Sequence, residues 1–470
     1  MKYDSIIVGA GPAGIFCAYE FTKLDPTKKI LLIEKGKDIY NRKCPILNKI
    51  ITKCPIQPNG IEGCLPACNM TSGFGGCGAY SDGKFNITTE FGGWLNEYLD
   101  DNELMDLINY VDNINVQYGA PQETTNPYTK KVREIEKKGL TVGLKLLRSK
   151  VRHLGTEINL KVLANIYEYL KDKIEFKFCE EVLDVVIENK QIKGVITNKD
   201  KYEGDNVIIV PGRDGAVWIE KLAKKYKFKT KNNRVDIGVR VETNNEIMEE
   251  INENLYEGKF IYRTNVGTTV RTFCSNPSGY VVVENHSGTI LANGHAYNDA
   301  EKGSKNTNFA LLVSHEFTEP FNEPNKFAHY VSTLANMLSN GSVIVQRYGD
   351  LKKGRRSTEE RIKEGFVQPT LKEAVPGDLG LVLPYKTMKS LIEMIEALNF
   401  VTPGINSEHT LFYGVEAKFY SSRPVVNNNF ESQEIKGLYF GGDGAGFTRG
   451  LAQAESNGVW IARKIIENNK

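Results

Sequence analysis

The pattern of apolar positions is most regular over residues 3–34, where it predicts a strand, a helix and a second strand. A β-branched run ends at a glycine-rich turn, apolar residues recur with helical spacing over 13–24, and the continuous apolar run 30–33 is the second strand. This order predicts a βαβ unit at the start of a parallel sheet.

The same pattern predicts further elements in the first half of the chain. A helix at 102–116 precedes a charged, helical stretch, so we predict a helical insertion over residues 100–150. An amphipathic helix and strand-like runs come next, the helix at 159–171 and the strands at 174–178, 182–188 and 192–197.

Residues 43–84 interrupt this regular pattern with a long stretch rich in Pro, Gly and Cys. Loops of this length are usually functional or disordered. Its end, residues 73–84, carries little bulk outside Phe74 and Tyr80, which suits backbone lying against a flat ligand. We therefore predict a Cys/Gly-rich ligand-facing loop over 43–84.

The pattern changes to mixed strands and helices after residue 235. After residue 402 it returns to the strand, glycine turn and helix order of the first residues. There a short strand, a glycine turn and a helix close the chain. We predict an α/β fold with a discontinuous nucleotide-binding domain over residues 1–235 and 403–470. An inserted α+β substrate or cap domain is predicted over residues 236–402.

Composition narrows the class of protein. The chain has 470 residues, 40% of them hydrophobic and 25% charged, with a formal net charge of +2. This length supports two or three cores, and the near-neutral charge argues against a nucleic-acid or anionic-membrane partner. No apolar run could span a bilayer, and the first strand begins too early for a signal peptide. We expect a cytoplasmic protein without nucleic-acid or membrane partners, whose eight cysteines are mostly reduced.

The glycine turn after the first strand has the spacing of a dinucleotide-binding motif. Gly9 permits the tight turn, Gly11 lets the backbone approach a pyrophosphate, and Gly14 lets the helix pack on the strand. Glu34 ends the second strand, where a carboxylate accepts a hydrogen bond from a ribose 2′-OH. This motif predicts a nucleotide site but does not separate FAD from NAD.

A second glycine turn near the C-terminus has complementary features. Asp443 lies between glycines, where its carboxylate can accept hydrogen bonds from ribityl or ribose hydroxyls. The helix that starts near Gly450 would direct amide groups and a positive dipole toward electron-rich ring atoms. A third turn, within residues 206–220, lacks the three-glycine spacing and a closing acid, so we do not predict a second nucleotide site there.

Paired motifs of this kind resemble the two FAD-binding halves of the glutathione-reductase-type flavoprotein superfamily. The stretches 75–84, 212–218, 238–242 and 441–446 are similar to a bacterial family of FAD-dependent dehydrogenases, related to geranylgeranyl-reductase-like and BaiN-like flavoproteins. The resemblance spans essentially the whole chain and implies FAD, a Rossmann-like sheet with a three-stranded β-meander, and a β-rich domain covering a flavin that faces loop 43–84. The predicted cofactor-binding residues are Gly9, Gly11, Pro12, Ala13, Gly14, Glu34, Lys35, Gly75, Gly76, Ser81, Asp82, Gly83, Val182, Gly212, Arg213, Gly442, Asp443, Gly450 and Leu451.

The function that the motifs favour is FAD-dependent oxidation or reduction of a small organic substrate at a C–C or C–N bond. The cofactor supplies the chemistry, and NAD(P)H would be a transient donor because no second dinucleotide motif is complete. Alternatives are an RNA-modifying flavoenzyme, with the basic run 352–356 as its footprint, and an electron-transfer subunit reduced by a ferredoxin-like protein. Hydrolysis has no support, since no nucleophile-elbow motif occurs. The candidate catalytic residues are Cys77, Arg271, Cys274, His295, Tyr420 and Arg423.

Five of the eight cysteines fall in loop 43–84, namely Cys44, Cys54, Cys64, Cys68 and Cys77. In a reducing compartment, thiols close in sequence favour metal binding or dithiol redox chemistry over structural disulfides. The intervals among the first four fit neither ferredoxin nor zinc-ribbon spacing, so an iron–sulfur cluster, redox-active thiols and simple packing all stay open. We predict no other metal ligands, and we expect Cys77 to face the flavin or substrate.

Overall fold

A computed structural model describes residues 2–45, 48–50, 66–286, 288–297 and 300–468. The helices and strands of the first half are β1 (Lys2–Val8), α1 (Pro12–Leu24), β2 (Ile30–Glu34), β3 (Lys84–Ile87), α2 (Asp101–Gln117), α3 (Lys130–Leu140), β4 (Leu144–Leu146), β5 (Lys150–His153), α4 (Gly155–Leu170), β6 (Glu175–Phe178), β7 (Val182–Glu188), β8 (Gln191–Thr197), β9 (Lys201–Ile209), α5 (Ala216–Tyr226) and β10 (Thr230–Lys231). Those of the second half are β11 (Val235–Asn244), α6 (Asn245–Asn254), β12 (Phe260–Arg263), β13 (Thr269–Asn276), β14 (Tyr280–His286), β15 (Thr289–His295), β16 (Asn306–His315), α7 (Pro324–Leu338), β17 (Ile344–Arg347), α8 (Tyr348–Lys352), α9 (Glu359–Lys363), β18 (Val375–Pro376), α10 (Tyr385–Leu398), β19 (Leu411–Lys418), β20 (Arg423–Pro424), β21 (Leu438–Phe440) and α11 (Leu451–Asn468).

The first of two compact units comprises Met1–Thr125, Ser149–Lys231 and Ser421–Lys470. Its main sheet has the strand order β6-β2-β1-β9, with β21 beside β9, and all of these neighbours pair in parallel. The antiparallel meander β7-β8-β9 extends the sheet, and a separate apolar core holds the unit together. The predicted Rossmann-like sheet with a β-meander is confirmed.

The second unit comprises Asn126–Arg148 and Asn232–Tyr420. Its mixed sheet has the order β18-β17-β19-β11-β16-β13-β12-β4, and the hairpin β14-β15 belongs to the same unit. One face of this sheet packs with α3, α6, α7 and α10 in a second apolar core. The unit is an α+β structure, as the sequence predicts.

Two predicted boundaries differ from the structure. Residues 126–148 lie in the second unit, not in the nucleotide-binding domain, because β4 pairs with β12 at the edge of the mixed sheet. Residues 403–420 also lie in the second unit, because β19 pairs with β11 and β17 near the sheet centre. Pairing between strands distant in sequence determines both boundaries, and the local pattern of apolar residues does not indicate such pairing.

Crossing a bilayer requires a helix of about 20 predominantly apolar residues. Within the described ranges, no helix combines the length and the apolar character that crossing a membrane requires.

Candidate functional site

The turn between β1 and α1, together with the first turn of α1, contains three glycines with different surroundings. Gly9 adopts a φ of +108°, and a β-carbon there would lie 2.5 Å from the carbonyl oxygen of Val210. A β-carbon at Gly14 would overlap the carbonyl oxygen of Gly9, because α1 packs directly on the turn. Gly11 has an ordinary φ of −75°, and no described atom lies within 4 Å of where its β-carbon would be. The turn therefore leaves one open space, at Gly11.

The N-terminus of α1 borders this open space. The helix begins at Pro12, and its first turn is uncharged. Amides in a first helical turn have no acceptor within the helix, and the helix dipole adds positive potential at the same place. An anionic group such as a phosphate therefore fits the space in front of Gly11.

Glu34 is a buried carboxylate at the end of β2. Its Oε2 accepts a hydrogen bond from the amide of Ala10 at 2.9 Å. Its Oε1 accepts from the amides of Gly36 at 2.8 Å and Gly73 at 2.9 Å. A carboxylate offers about four lone-pair positions. Among the described residues, these three amides occupy three of the positions and leave one for a ligand hydroxyl, so the predicted bond to a ribose stays a prediction.

Arg42 is a buried side chain that the sequence analysis did not single out. Its Nε donates to the carbonyl of Asn69 at 3.0 Å, and Nη1 donates to that of Phe74 at 2.6 Å. Its Nη2 donates to the carbonyls of Met70 at 3.0 Å and Gly76 at 2.9 Å. Burial lowers the pKa of the guanidinium, although an arginine stays charged. An arginine in a polar loop normally indicates an exposed side chain, so no local signal identifies this one.

Segment 73–80 lies beside the N-termini of two helices. A β-carbon at Gly76 would lie 3.3 Å from the α-carbon of Gly11. A β-carbon at Gly78 would lie 2.7 Å from Cδ2 of Leu451, the first residue of α11. Glycines therefore let the segment pass close to both helix starts, and we call the space bordered by Gly11, segment 73–80 and Leu451 the cleft.

Cys77 belongs to this segment. Its Sγ donates to the carbonyl of Thr71 at 3.3 Å, so the sulfur points inward although the residue is exposed. Desolvation raises the pKa of the thiol, against the opposing effect of Arg213 and Arg42. Cys77 lies next to Gly76, which approaches Gly11, and its contact with a flavin or substrate stays a prediction.

The glycine turn after β21 packs on the turn after β9. A β-carbon at Gly444 would overlap the carbonyl oxygen of Gly212, so the two backbones touch. Asp443 accepts a hydrogen bond from Thr448 at 2.7 Å, and its Oδ2 lies 3.7 Å from Nε of Arg213. Burial raises the pKa of Asp443, and Arg213 opposes the shift. The structure therefore brings Gly212, Arg213 and Asp443 together, as the sequence motifs indicate.

Helix α11 completes the cleft from the C-terminal part of the chain. It starts at Leu451, and a β-carbon at Gly458 would overlap the carbonyl oxygen of Ala13 in α1. The amide of Gly442 donates to Oδ1 of Asn457 at 2.8 Å, which fixes the preceding turn to the helix. The two helix N-termini face the same glycine, because a β-carbon at Gly78 would lie 2.7 Å from Leu451 and 3.4 Å from Pro12.

A short segment before α2 also contacts the second glycine turn, and the sequence analysis missed it. The amide of Trp94 donates to the carbonyl of Phe447 at 2.9 Å, and that of Arg449 donates to the carbonyl of Gly92 at 2.7 Å. Gly92 and Gly93 have φ values of +111° and +152°. The adjacent glycines are the signal that could have identified this segment.

Three predicted cofactor residues follow segment 73–80. The carboxylate of Asp82 lies 2.7 Å from Nε2 of His153, and the carbonyl of Ser81 accepts from the hydroxyl of Thr156 at 3.0 Å. Gly83 has a φ of +62°. These residues are therefore fixed to the start of α4, at the edge of the cleft.

Lys35 and Val182 lie beside the Glu34 end of the cleft. Lys35 forms a 2.5 Å ion pair with Asp214. Val182 begins β7, and the preceding stretch is joined to β2 by a 3.1 Å bond from the amide of Glu180 to the carbonyl of Glu34. Both residues therefore lie near the end of β2, and their contact with a nucleotide stays a prediction.

Arg423 is the second nominated catalytic residue of the first unit. Its guanidinium is buried, pairs with Glu97 at 2.9 Å and lies 5.5 Å from the ring of Trp94. This ion pair gives Arg423 a structural role, and any contact with substrate stays a prediction.

The other four nominated catalytic residues belong to the second unit. Arg271 and Cys274 lie on β13, and His295 ends β15. The hydroxyl of Tyr420 donates to the buried carboxylate of Asp236. Their catalytic roles stay predictions.

The metal hypothesis rests partly on residues outside the described ranges. Cys54 and Cys64 are among these, whereas Cys44 and Cys68 are described and reduced. Within the described part of the chain, no group of three or more His, Cys, Asp or Glu could hold a metal ion. An iron–sulfur cluster at the four cysteines therefore stays a hypothesis.

The residues of the cleft fit FAD by their chemistry. The space in front of Gly11 accepts an anion, Glu34 keeps one lone-pair position for a hydroxyl, and Asp443 supplies a second carboxylate. The start of α11 adds an uncharged helix N-terminus beside segment 73–80. A dinucleotide with a phosphate centre and hydroxyls on both sides matches this order.

Comparison with protein families agrees with this assignment. Residues 3–232 match the family model "Pyridine nucleotide-disulphide oxidoreductase", and residues 234–419 match "FAD-dependent protein, C-terminal domain-like". The fold, the cleft and the two matches define the class of protein. The chain is an FAD-dependent oxidoreductase.

Individual relatives are distant. An uncharacterized protein from Clostridium beijerinckii (strain ATCC 51743 / NCIMB 8052) is 26% identical, with 99% of this chain aligned to 81% of its length. Among solved structures, glycine oxidase from Bacillus cereus ATCC 14579 aligns with a TM-score of 0.35, 12% identity, and 99% and 97% of the two chains covered. L-proline dehydrogenase from P. horikoshii aligns with a TM-score of 0.37 and 12% identity, with 99% of this chain and 94% of that chain covered. Formate oxidase aligns with a TM-score of 0.46 and 12% identity, with 99% of this chain and 98% of that chain covered. Similarity at this level does not indicate a substrate.

Proposed function

We propose that the first unit holds one FAD noncovalently and that the enzyme transfers a hydride or electron pair between the flavin and a small organic substrate, at a C–C or C–N bond. The observation that carries the proposal is the open space at Gly11, in a turn whose other two glycines are fixed by backbone contacts. Gly11 is not required by the conformation of the turn, because its φ of −75° suits any residue, so its missing side chain fits close approach by a ligand.

The residues of the cleft would have separate tasks. The amides at the start of α1 would bind the pyrophosphate, and the free lone pair of Glu34 would accept from the ribose of the adenosine. Asp443 would accept hydrogen bonds from ribityl hydroxyls. The N-terminus of α11 would favour negative charge on the ring system. When bound, FAD would supply the redox chemistry.

We propose that NAD(P)H, if it is the reductant, binds only transiently. The Gly212 turn is the place where a second nucleotide site could have been located. Its backbone is in contact with Gly444, so it forms part of the same cleft. Because this contact makes the turn part of the FAD site, it supports transient binding of NAD(P)H over stable binding at a second site.

The basic run 352–356 supports the RNA-modifying alternative poorly. Lys352 pairs with Glu396 at 2.8 Å, and Lys353 pairs with Glu408 at 2.8 Å. Arg355 also pairs with a buried carboxylate at 2.8 Å. These partners neutralise most of the charge that would attract a phosphate backbone.

Anaerobic spectroscopy of the purified protein tests the proposed function. We expect FAD in the supernatant after denaturation, and we expect one of three donors, NADH, NADPH or reduced ferredoxin, to bleach the bound flavin. Reoxidation with small unsaturated compounds or imines then identifies the bond class. A colourless protein that cannot be reconstituted with FAD would refute the proposal, and reduction by ferredoxin alone would favour a protein donor.

A further inference from the structure

The carboxylate of Glu34 joins three stretches of backbone that contribute to different parts of the cleft. The amide of Ala10 belongs to the glycine turn, that of Gly36 follows β2, and that of Gly73 opens segment 73–80. The amide of Gly75 also donates to the carbonyl of Ala10, at 2.7 Å. The phosphate-facing turn and segment 73–80 are therefore held by one buried acceptor and one direct bond.

Segment 73–80 is held as a unit on its other side. Nitrogens of Arg42 donate to carbonyls on both sides of Gly73, at residues 69, 70, 74 and 76. The amide of Phe74 donates to the carbonyl of Lys37 at 3.0 Å. A shift of Gly73 at the Glu34 carboxylate must therefore move the backbone that approaches Gly11 and Leu451.

We propose that Glu34 is a positioning residue that couples the two ends of the cofactor cleft, so that binding of an adenosine diphosphate group orders segment 73–80. The inference rests on the proposed FAD site. The conformation of Glu34 that leaves a lone pair for the ribose is the one that accepts from Ala10 and Gly73. A ligand that favours this conformation stabilises all three bonds, and by linkage an ordered segment 73–80 raises the affinity for the diphosphate end.

Hydrogen exchange of the cofactor-free protein, with ADP as the probe, tests the coupling. In the wild type, saturating ADP should slow exchange in residues 9–16 and, at least about fivefold, in segment 73–80. In Glu34→Gln the slowing at 9–16 should persist and that at 73–80 should disappear, because an amide group provides a donor where all three partners are donors. ADP is titrated to saturation in each variant, so weaker binding does not imitate lost coupling.

Two further variants separate positioning from general instability. Arg42→Lys should keep ADP binding and lose the protection of segment 73–80, because a lysine cannot reach four carbonyls. Glu20→Gln removes another buried carboxylate of the first unit, which accepts from Tyr110 at 2.6 Å and Arg463 at 2.7 Å. It contacts neither loop, so the coupling should persist.

The outcomes are distinct. Equal protection of segment 73–80 in the wild type and Glu34→Gln would overturn the proposal, as would wild-type protection confined to residues 9–16. If ADP slowed exchange nowhere, and FAD likewise, the FAD site itself would be wrong. If FAD protected both regions while ADP protected only residues 9–16, the FAD site would be supported and the proposed coupling of the adenosine diphosphate group to segment 73–80 would be refuted.

Discussion

Exchanging glycines of the first turn for alanine should separate cofactor binding from folding. Gly11→Ala places a methyl group in the open space where a phosphate would lie, and its φ of −75° suits any residue. Gly14→Ala places the same methyl group on the carbonyl oxygen of Gly9. The two changes are chemically identical and three residues apart.

The expected magnitudes follow from these surroundings. At Gly11, alanine is a poorer N-cap, which lowers the folding stability by about 1 kcal/mol. Alanine also restricts the unfolded chain, which raises the folding stability by about 0.4–1 kcal/mol and largely offsets the loss. Overfilling the phosphate space should cost about 1–3 kcal/mol of binding, or about 5- to 150-fold in the Kd for FAD. At Gly14 the overlap is with backbone, so we expect a loss of folding stability above 3 kcal/mol.

Thermal unfolding of the cofactor-free proteins and fluorescence titration with FAD measure the two effects. We expect Gly11→Ala to melt close to the wild type and to bind FAD more weakly, and Gly14→Ala to melt far lower. The reasoning would be refuted if Gly11→Ala bound FAD as tightly as the wild type. Equal destabilisation by both changes would show that the space at Gly11 is structural.

Other substitutions and labels test further parts of both units. Burial raises the pKa of Glu455 well above its usual 4.5. The folded state therefore gains stability as pH falls and loses it as pH rises through the folded pKa. In urea unfolding, Glu455→Gln should be more stable than the wild type at pH 8, and this difference should vanish near pH 4. Gly294→Ala should destabilise the protein by about 3–5 kcal/mol, because its methyl group would displace the fully buried Arg240 from its ion pair, and a melting curve like that of the wild type would contradict this. Bound FAD should slow alkylation of Cys77 but not of Cys274, as measured by mass spectrometry of each peptide, and equal slowing at both would place Cys77 outside the site.

Local patterns in the sequence predicted the secondary structure and much of the cleft. The helices predicted at 102–116 and 159–171 are α2 and α4 with their ends shifted by up to four residues. The glycines around Gly11 and the acid Glu34 were identifiable because a dinucleotide fixes their spacing within about twenty-five residues. Local sequence patterns therefore predict the features whose interacting residues lie close together in the sequence.

Features that depend on distant partners could not be predicted. Arg42 is buried because carbonyls of residues 69–76 surround it, and nothing in its own neighbourhood indicates this. The pairing of β4 with β12 assigns residues 126–148 to the second unit across more than one hundred residues. The contact of Gly92 with Arg449 spans an even longer interval.

The packing of α11 on α1 has a consequence for the order in which the protein is made. Residues 421–470 follow the whole second unit in the sequence, yet Gly458 lies against Ala13 near the start of the chain. Because synthesis proceeds from the N-terminus, the first helix emerges long before its neighbour. The cleft thus cannot close around a nucleotide until residues 451–468 have been synthesised, and until then the face of α1 that packs on α11 lacks its neighbour.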